Sequence, residues 1–399
     1  MQNQPVLKIE FVAIMALLMS LVALSIDGIL PALTVIGNDL GVTDTKDHQL
    51  LITMIFLGLG FGQLIFGPLS DSYGRKPVIY MGFLVFAVAS IICVNTNSYE
   101  VLISARILQG IGLASPRTLS IAMIRDSYEG DYMAKVMSFI VMIFILIPIV
   151  APTLGQFLML AYNWQAIFNV QLGLGILVIV WFWKRQPETL ALSNRIPFRT
   201  ATLISGFKEF FKQKQAVAFT LISGFITGSF MVYLSTTQYI FEVQYDLGED
   251  FPLIFASLAV GVGFATYLNG VFVFRIGMKR IALVSLAAYS LSSLLYVVLF
   301  FNQLNPPLGV LLIFFVLQFT AVGFLFGNLR ALAMQPIGHI AGVGAAINGF
   351  ISTVMGVLIA NFIGAYISTT VWPLFFGFTI CGCASMVIFL LNKPLERTI

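Results

Sequence analysis

Gly67-Pro68-Leu69-Ser70-Asp71-Ser72-Tyr73-Gly74-Arg75-Lys76-Pro77-Val78 is a charged stretch with Gly and Pro, set between two long apolar runs. Glycine and proline punctuate regular structure, and a turn carrying Asp71, Arg75 and Lys76 belongs outside hydrocarbon. The runs on either side, 48–69 and 77–95, match the roughly 20 residues a helix needs to cross a core of about 30 Å. The stretch therefore reads as a short connection between two membrane spans, and it sets the register for the others.

Composition agrees. Hydrophobic residues make up 59% of the 399 and charged residues only 10%, against about a quarter charged in soluble domains. Apolar runs recur along the whole length: 9–33, 48–69, 77–95, 99–124, 134–160, 163–184, 215–241, 250–274, 279–302, 307–335, 341–368 and 370–391. That predicts about twelve transmembrane helices. The first run is not read as a cleaved signal peptide, because no small-residue cleavage pattern follows it and Asp27 lies beyond its apolar part. Cys93, Cys381 and Cys383 sit inside apolar segments and read as packing residues.

One long polar interruption, 185–214, divides the chain into an N-terminal bundle (1–184), a central loop and a C-terminal bundle (215–399). Phe207, Phe210 and Phe211 are spaced there as on an amphipathic surface helix. Basic residues fix the orientation, since cytoplasmic loops carry the excess of Lys and Arg. With the N-terminus inside, Lys8, Arg75, Lys76, Arg125, Lys135, Arg275, Lys279, Arg280, Lys393 and Arg397 are cytoplasmic. So are Lys184, Arg185, Arg195, Arg199, Lys208, Lys212 and Lys214 of the central loop and its margins. Lys46 alone falls outside, among Asp39, Asp44, Asp47, Glu100, Glu242, Asp246, Glu249 and Asp250. The net charge of +4 is thus a topology signal and implies no nucleic-acid partner.

Four charges remain within the spans: Asp27, Arg106, Arg117 and Arg330. Each costs about 2.5–3.5 kcal/mol at a helix centre, so such residues face a bundle interior or a wet cavity. Asp27 lies roughly 9 Å, and Arg106 roughly 10 Å, from the outer ends of their spans at 1.5 Å per residue. The matching depth makes Asp27 a proton-carrying candidate with Arg106 as its electrostatic partner, or else the two form a static ion pair. Arg117 and Arg330 stand at similar depth in corresponding spans of the two halves. They form either a fork for a carboxylate or phosphate, or a pair of snorkelling side chains.

At this point the residues resemble a known family, the major facilitator superfamily, and within it the drug:proton antiporters of the bicyclomycin and chloramphenicol resistance branch. Gly67 to Val78 resembles the family's signature between the second and third helices. Arg106-Ile107-Leu108-Gln109-Gly110 resembles its fourth-helix R-x-x-Q-G motif. Ser25-Ile26-Asp27-Gly28-Ile29-Leu30-Pro31-Ala32-Leu33 is similar to the branch's first helix, and His339-Ile340-Ala341-Gly342 to the junction before its eleventh. Pro148, Pro152 and Gly155 match the antiporter motif of the fifth helix, although Gln156 replaces its second glycine.

The resemblance implies an all-α polytopic membrane protein with twelve helices in two pseudo-symmetric six-helix bundles and a substrate site between them. It implies a conformational latch of Gly67, Asp71, Gly74 and Arg75, with Arg75 also reaching Asp126. The turn glycines are expected to allow close approach and tight turning, and Pro148 and Pro152 to soften the fifth helix. Gln109, Gln156, Asn169, Gln171, Gln238, Asn328 and Asn348 are candidates for lining a cavity or for bonding between helices.

The expected function is a proton-coupled antiporter exporting a small organic molecule or drug across the bacterial inner membrane. It has both termini cytoplasmic, acts as a monomer, and needs no cofactor beyond the proton gradient. The alternative is an exporter of an endogenous anion such as a carboxylate siderophore, which Arg117 and Arg330 favour. An enzyme is not expected, since the two histidines lie outside the spans and only one deep carboxylate is present. Neither pore-lining rings nor a nucleotide-binding loop is seen.

Overall fold

Helix is the only way for such apolar runs to satisfy their own backbone groups in hydrocarbon, and the chain forms helices throughout. A computed structural model describes residues 9–42, 44–128, 130–195, 200–248 and 250–392; side chains are not described at 45, 46, 130–135, 137–139, 141–146, 200–203, 339 and 341. Lys8, Arg199, Glu249, Lys393 and Arg397 lie outside the described residues, as do the side chains of Lys46, Lys135 and His339.

The chain forms two compact units, Met1–Arg199 and Thr200–Ile399. The first holds α1 (Ile9–Asp27), α2 (Leu50–Tyr73), α3 (Arg75–Asn95), α4 (Tyr99–Ser127), α5 (Gly130–Ala161) and α6 (Gln165–Arg185). The second opens with α7 (Thr200–Lys212). It continues through α8 (Lys214–Gln238), α9 (Phe251–Ile276), α10 (Met278–Leu299), α11 (Leu308–Met334), α12 (Ala341–Gly364) and α13 (Trp372–Leu391). Among the described residues eleven helices are long and apolar enough to cross a membrane. The fifth place in the order is taken by α5, whose described apolar part is Ile147–Ala161. Each unit is thus a six-helix bundle.

Three local details depart from the sequence reading. The first span is not one helix: α1 stops at Asp27, a 3-10 turn covers Leu30–Ala32, and a short helix runs Leu33–Asp39. Pro31 has no N–H, so it cannot bond the carbonyl of Asp27 four residues back, and the helix breaks there. The turn after α2 is also shorter than expected. α2 runs on through Pro68 to Tyr73, and only Gly74 leaves helical geometry, at φ 101°. Gly67 is therefore a helical residue with open space where a Cβ would stand, and its expected part in a tight turn is corrected. Last, Glu242 is not in a loop, because α8 continues as a π-helical turn over Tyr239–Gln244.

α7 has the amphipathic character its phenylalanines predict, with Phe210 fully buried and Phe211 exposed. In the first unit the tightest packing joins α2 and α4. A Cβ at Gly110 would run into the Ile55 carbonyl, and one at Gly58 would lie 2.8 Å from the Ile111 nitrogen. Helices in lipid associate through such close backbone approach. Gly110→Val is expected to lower the melting temperature in detergent by several degrees, since overpacking costs about 1–3 kcal/mol. Gly67→Ala should leave it unchanged or higher, because alanine is favoured in a helix interior by about 1 kcal/mol. A melt of both variants by tryptophan fluorescence checks the contrast.

Candidate functional site

Asp27 ends α1 at the Pro31 break. Its side chain is buried, at 6% exposure, and among the described residues it has no hydrogen-bond or ion-pair partner. Arg106 of α4 is fully buried, yet it is not paired with Asp27. Its Nε donates to the Leu51 carbonyl at 2.9 Å, and Nη1 donates to the Ser25 carbonyl at 3.1 Å and to Gln109 Oε1 at 2.8 Å. The guanidinium lies 5.8 Å from the ring centre of Phe168, while Nη2 finds no acceptor among the described residues. Gln109 Nε2 in turn donates to Ser90 Oγ at 2.9 Å. The static Asp27–Arg106 ion pair, the alternative reading, does not form; Arg106 is a strut that joins α1 and α2 to α4 through their carbonyls and, by way of Gln109, reaches the Ser90 hydroxyl of α3.

The break in α1 is held from the other side by α5 and α6. A Cβ at Gly155 would collide with the Gly28 carbonyl, so α5 comes into backbone contact one residue past Asp27. Gln171 of α6 donates from Nε2 to the Leu24 carbonyl at 3.2 Å. Pro148 and Pro152 lie within α5, which runs as one helix past both.

The remaining candidates scatter. Arg117 is half-buried in α4, and Arg330, in the other unit, is exposed. Asn328 donates to Asn269 Oδ1 at 2.6 Å and to the Phe324 carbonyl at 2.9 Å, and Gln238 donates to Glu242 Oε2 at 2.7 Å. Asn348 donates to Thr220 Oγ1 at 2.7 Å. These amides bond within the second unit.

At the α2–α3 turn the contacts are dense. Arg75, 3% exposed, donates from Nη1 to Asp71 Oδ1 at 2.5 Å and to Ser70 Oγ at 2.7 Å. Its Nε donates to Asp126 Oδ2 at 2.9 Å, so one guanidinium ties α2, α3 and the end of α4 together. Sequence reasoning missed Glu188, just past α6. Its carboxylate accepts from the backbone nitrogens of Arg75 and Lys76, each at 3.0 Å, and so caps the start of α3. It also accepts from the nitrogens of Thr189 and Leu190 at 3.0 Å, and Thr189 Oγ1 donates to Asp126 at 3.2 Å. A Cβ on Gly74 would stand 2.7 Å from Glu188 Oε2, so the turn needs glycine for both its φ and its room. The available signal was an acid three residues after Arg185, where a basic loop was expected. Burial alone would raise the Glu188 carboxyl, but the four N–H donors outweigh it and hold it below the usual glutamate range.

Among the described residues no cluster of three or more His, Cys, Asp or Glu could hold a metal ion.

The broken first helix with its buried carboxylate, the Arg-Gln strut and the clasped α2–α3 turn are set in helices long and apolar enough to cross a membrane. The chain belongs to the major facilitator superfamily, whose model matches residues 15–360. It is 28% identical over 389 residues to the bicyclomycin resistance protein homolog of Haemophilus influenzae, covering 97% of each chain. It is 29% identical over 366 residues to a chloramphenicol resistance protein of Pseudomonas aeruginosa, covering 88% of this chain and 83% of that one. Among solved structures, the D-xylose-proton symporter superposes with a TM-score of 0.77 at 14% identity, covering 99% of both chains, and shares the fold.

The Glu188 cap generates a prediction. Its folded carboxyl titrates below the unfolded one, so its contribution is complete above about pH 4.3 and disappears as pH falls through the lower folded value. Glu188→Gln should melt below the wild type at pH 7 by about 1–3 kcal/mol, the cost of leaving buried donors poorly served. The gap should shrink in melts taken below pH 4, whereas a gap constant with pH would show that the carboxylate charge is irrelevant.

Proposed function

We propose that this protein is a proton-coupled antiporter of the bacterial inner membrane, exporting a small organic molecule by alternating access of its two bundles. Both termini are taken as cytoplasmic on the distribution of Lys and Arg in the sequence, and the monomer is taken as the working unit. Family membership and relatives named for bicyclomycin and chloramphenicol resistance support a drug as cargo.

The observation that carries proton coupling is Asp27, buried at a helix break without a partner among the described residues. An isolated carboxylate in such a place can hold a proton and gives it up when a competing charge or water reaches it. Gly28 and Gly155, in backbone contact, would pass movement between α5 and the carboxylate. Arg106, committed to carbonyls, acts as a fixed positive potential rather than as an ion-pair partner. The clasp of Asp71, Arg75 and Asp126, completed by Glu188, would hold the first bundle in one state of the cycle.

Arg117 and Arg330 remain assigned to substrate recognition, and an endogenous anion is the cargo if both take part.

Adding chloramphenicol or bicyclomycin to purified protein in weakly buffered detergent is expected to release protons, and Asp27→Asn is expected to reduce the release to background. Proton release unchanged in Asp27→Asn would end the coupling assignment. Arg117→Ala should abolish binding of anionic compounds while leaving neutral ones; equal binding of both classes removes the anion reading.

A further inference from the structure

Between α3 and α6, on the side of the α2–α3 turn, lies a groove of about 350 Å³ lined by Tyr80, Ile179, Val180 and Trp183. Its floor is apolar, and Val180 and Trp183 are exposed. Its rim is cationic. Lys76, one helical turn before Tyr80, donates from Nζ to the Trp183 carbonyl at 3.1 Å, which puts the ammonium at the end of α6. Lys184 follows Trp183, one turn past Val180 and on its face of the helix, and is exposed. The phenol oxygen of Tyr80 is buried and has no hydrogen-bond partner among the described residues. Edge-on contact with Phe182, 5.9 Å between centroids, holds the ring in place.

We propose that this groove binds an anionic phospholipid of the adjacent leaflet. One acyl chain lies along Ile179, Val180 and Trp183. The phosphate sits at Lys76 and Lys184. The vertical order of the site matches a bilayer: apolar floor, then tryptophan and tyrosine, then lysines. An apolar groove alone would accept any lipid tail, and the two ammonium groups supply the selection for a negative headgroup. Because Lys76 is the residue after Arg75, whose backbone nitrogen Glu188 caps, a phosphate there bears on the start of α3. The site is separate from Asp27 and does not depend on the cargo.

The test uses the full-length protein purified in detergent and incubated with mixed micelles of phosphatidylglycerol or phosphatidylcholine of identical chains, with native mass spectrometry counting retained lipid. Phosphatidylglycerol is expected to be retained over phosphatidylcholine. Lys184→Gln should weaken that preference about fivefold, the usual effect of one basic residue near an anionic surface. Val180→Trp, which fills the groove from a lipid-exposed position and so spares the fold, should remove the preference. Val298→Trp, at an exposed position of α10, should leave it intact. Equal retention of the two lipids, or a preference that survives Val180→Trp, overturns the proposal. So does displacement of the lipid by millimolar glycerol phosphate, which would show a headgroup site without use of the groove.

Discussion

Hydrocarbon offers no partner to a polar group, and the first bundle is arranged around how Arg106 meets that constraint. A buried guanidinium has five N–H donors and cannot lose its charge. Here four helices gather to supply it: carbonyls from α1 and α2, the amide of Gln109 within α4, and through that amide the Ser90 hydroxyl of α3. Two of those acceptors are main-chain carbonyls, so the strut fixes backbones rather than rotamers. Gly110 beside it is glycine because α2 and α4 touch at that level. The R-x-x-Q-G pattern is, in this chain, the sequence form of a four-helix junction.

Because Arg106 is engaged with two carbonyls and Gln109, Asp27 is left to itself. It stands where Pro31 has already broken α1, against a backbone contact from α5 and a carbonyl bond from Gln171 of α6. A static ion pair would hold a carboxylate charged throughout a transport cycle. A carboxylate with no counterion in contact is not locked in the charged form, so its protonation can follow the water and charges that reach it. The clasp at the α2–α3 turn works by the opposite rule: Arg75 meets two carboxylates and a hydroxyl, and Glu188 meets four backbone donors. One site is loose and the other saturated, as expected of a coupling group and a latch.

Much of the fold was legible because spans are written in runs of apolar residues, and the long basic interruption separates two sets of six. The clasp was legible in part: Asp71 and Arg75 are four apart, the spacing at which helical side chains meet, and Asp126 followed only from the family resemblance. Glu188 was invisible because the helix start it caps, at the nitrogens of Arg75 and Lys76, lies more than a hundred residues away. Of the two readings of Asp27 and Arg106, the static ion pair is the one excluded, and for a geometric reason. Depth along a helix sets height but not direction, and Ser25 and Asp27 differ by roughly 200° around the axis at 3.6 residues per turn. Gly67 misled because glycine in a signature reads as a turn, whereas α2 carries on past it to Tyr73.

The most direct test of this account is an infrared difference spectrum in the carboxyl region, recorded on adding a transported compound to the reconstituted protein. Loss of a protonated carboxyl band in the wild type, absent from the spectrum of Asp27→Asn, is the predicted result. A band that persists unchanged in Asp27→Asn would place the transported proton on another group and contradict the account.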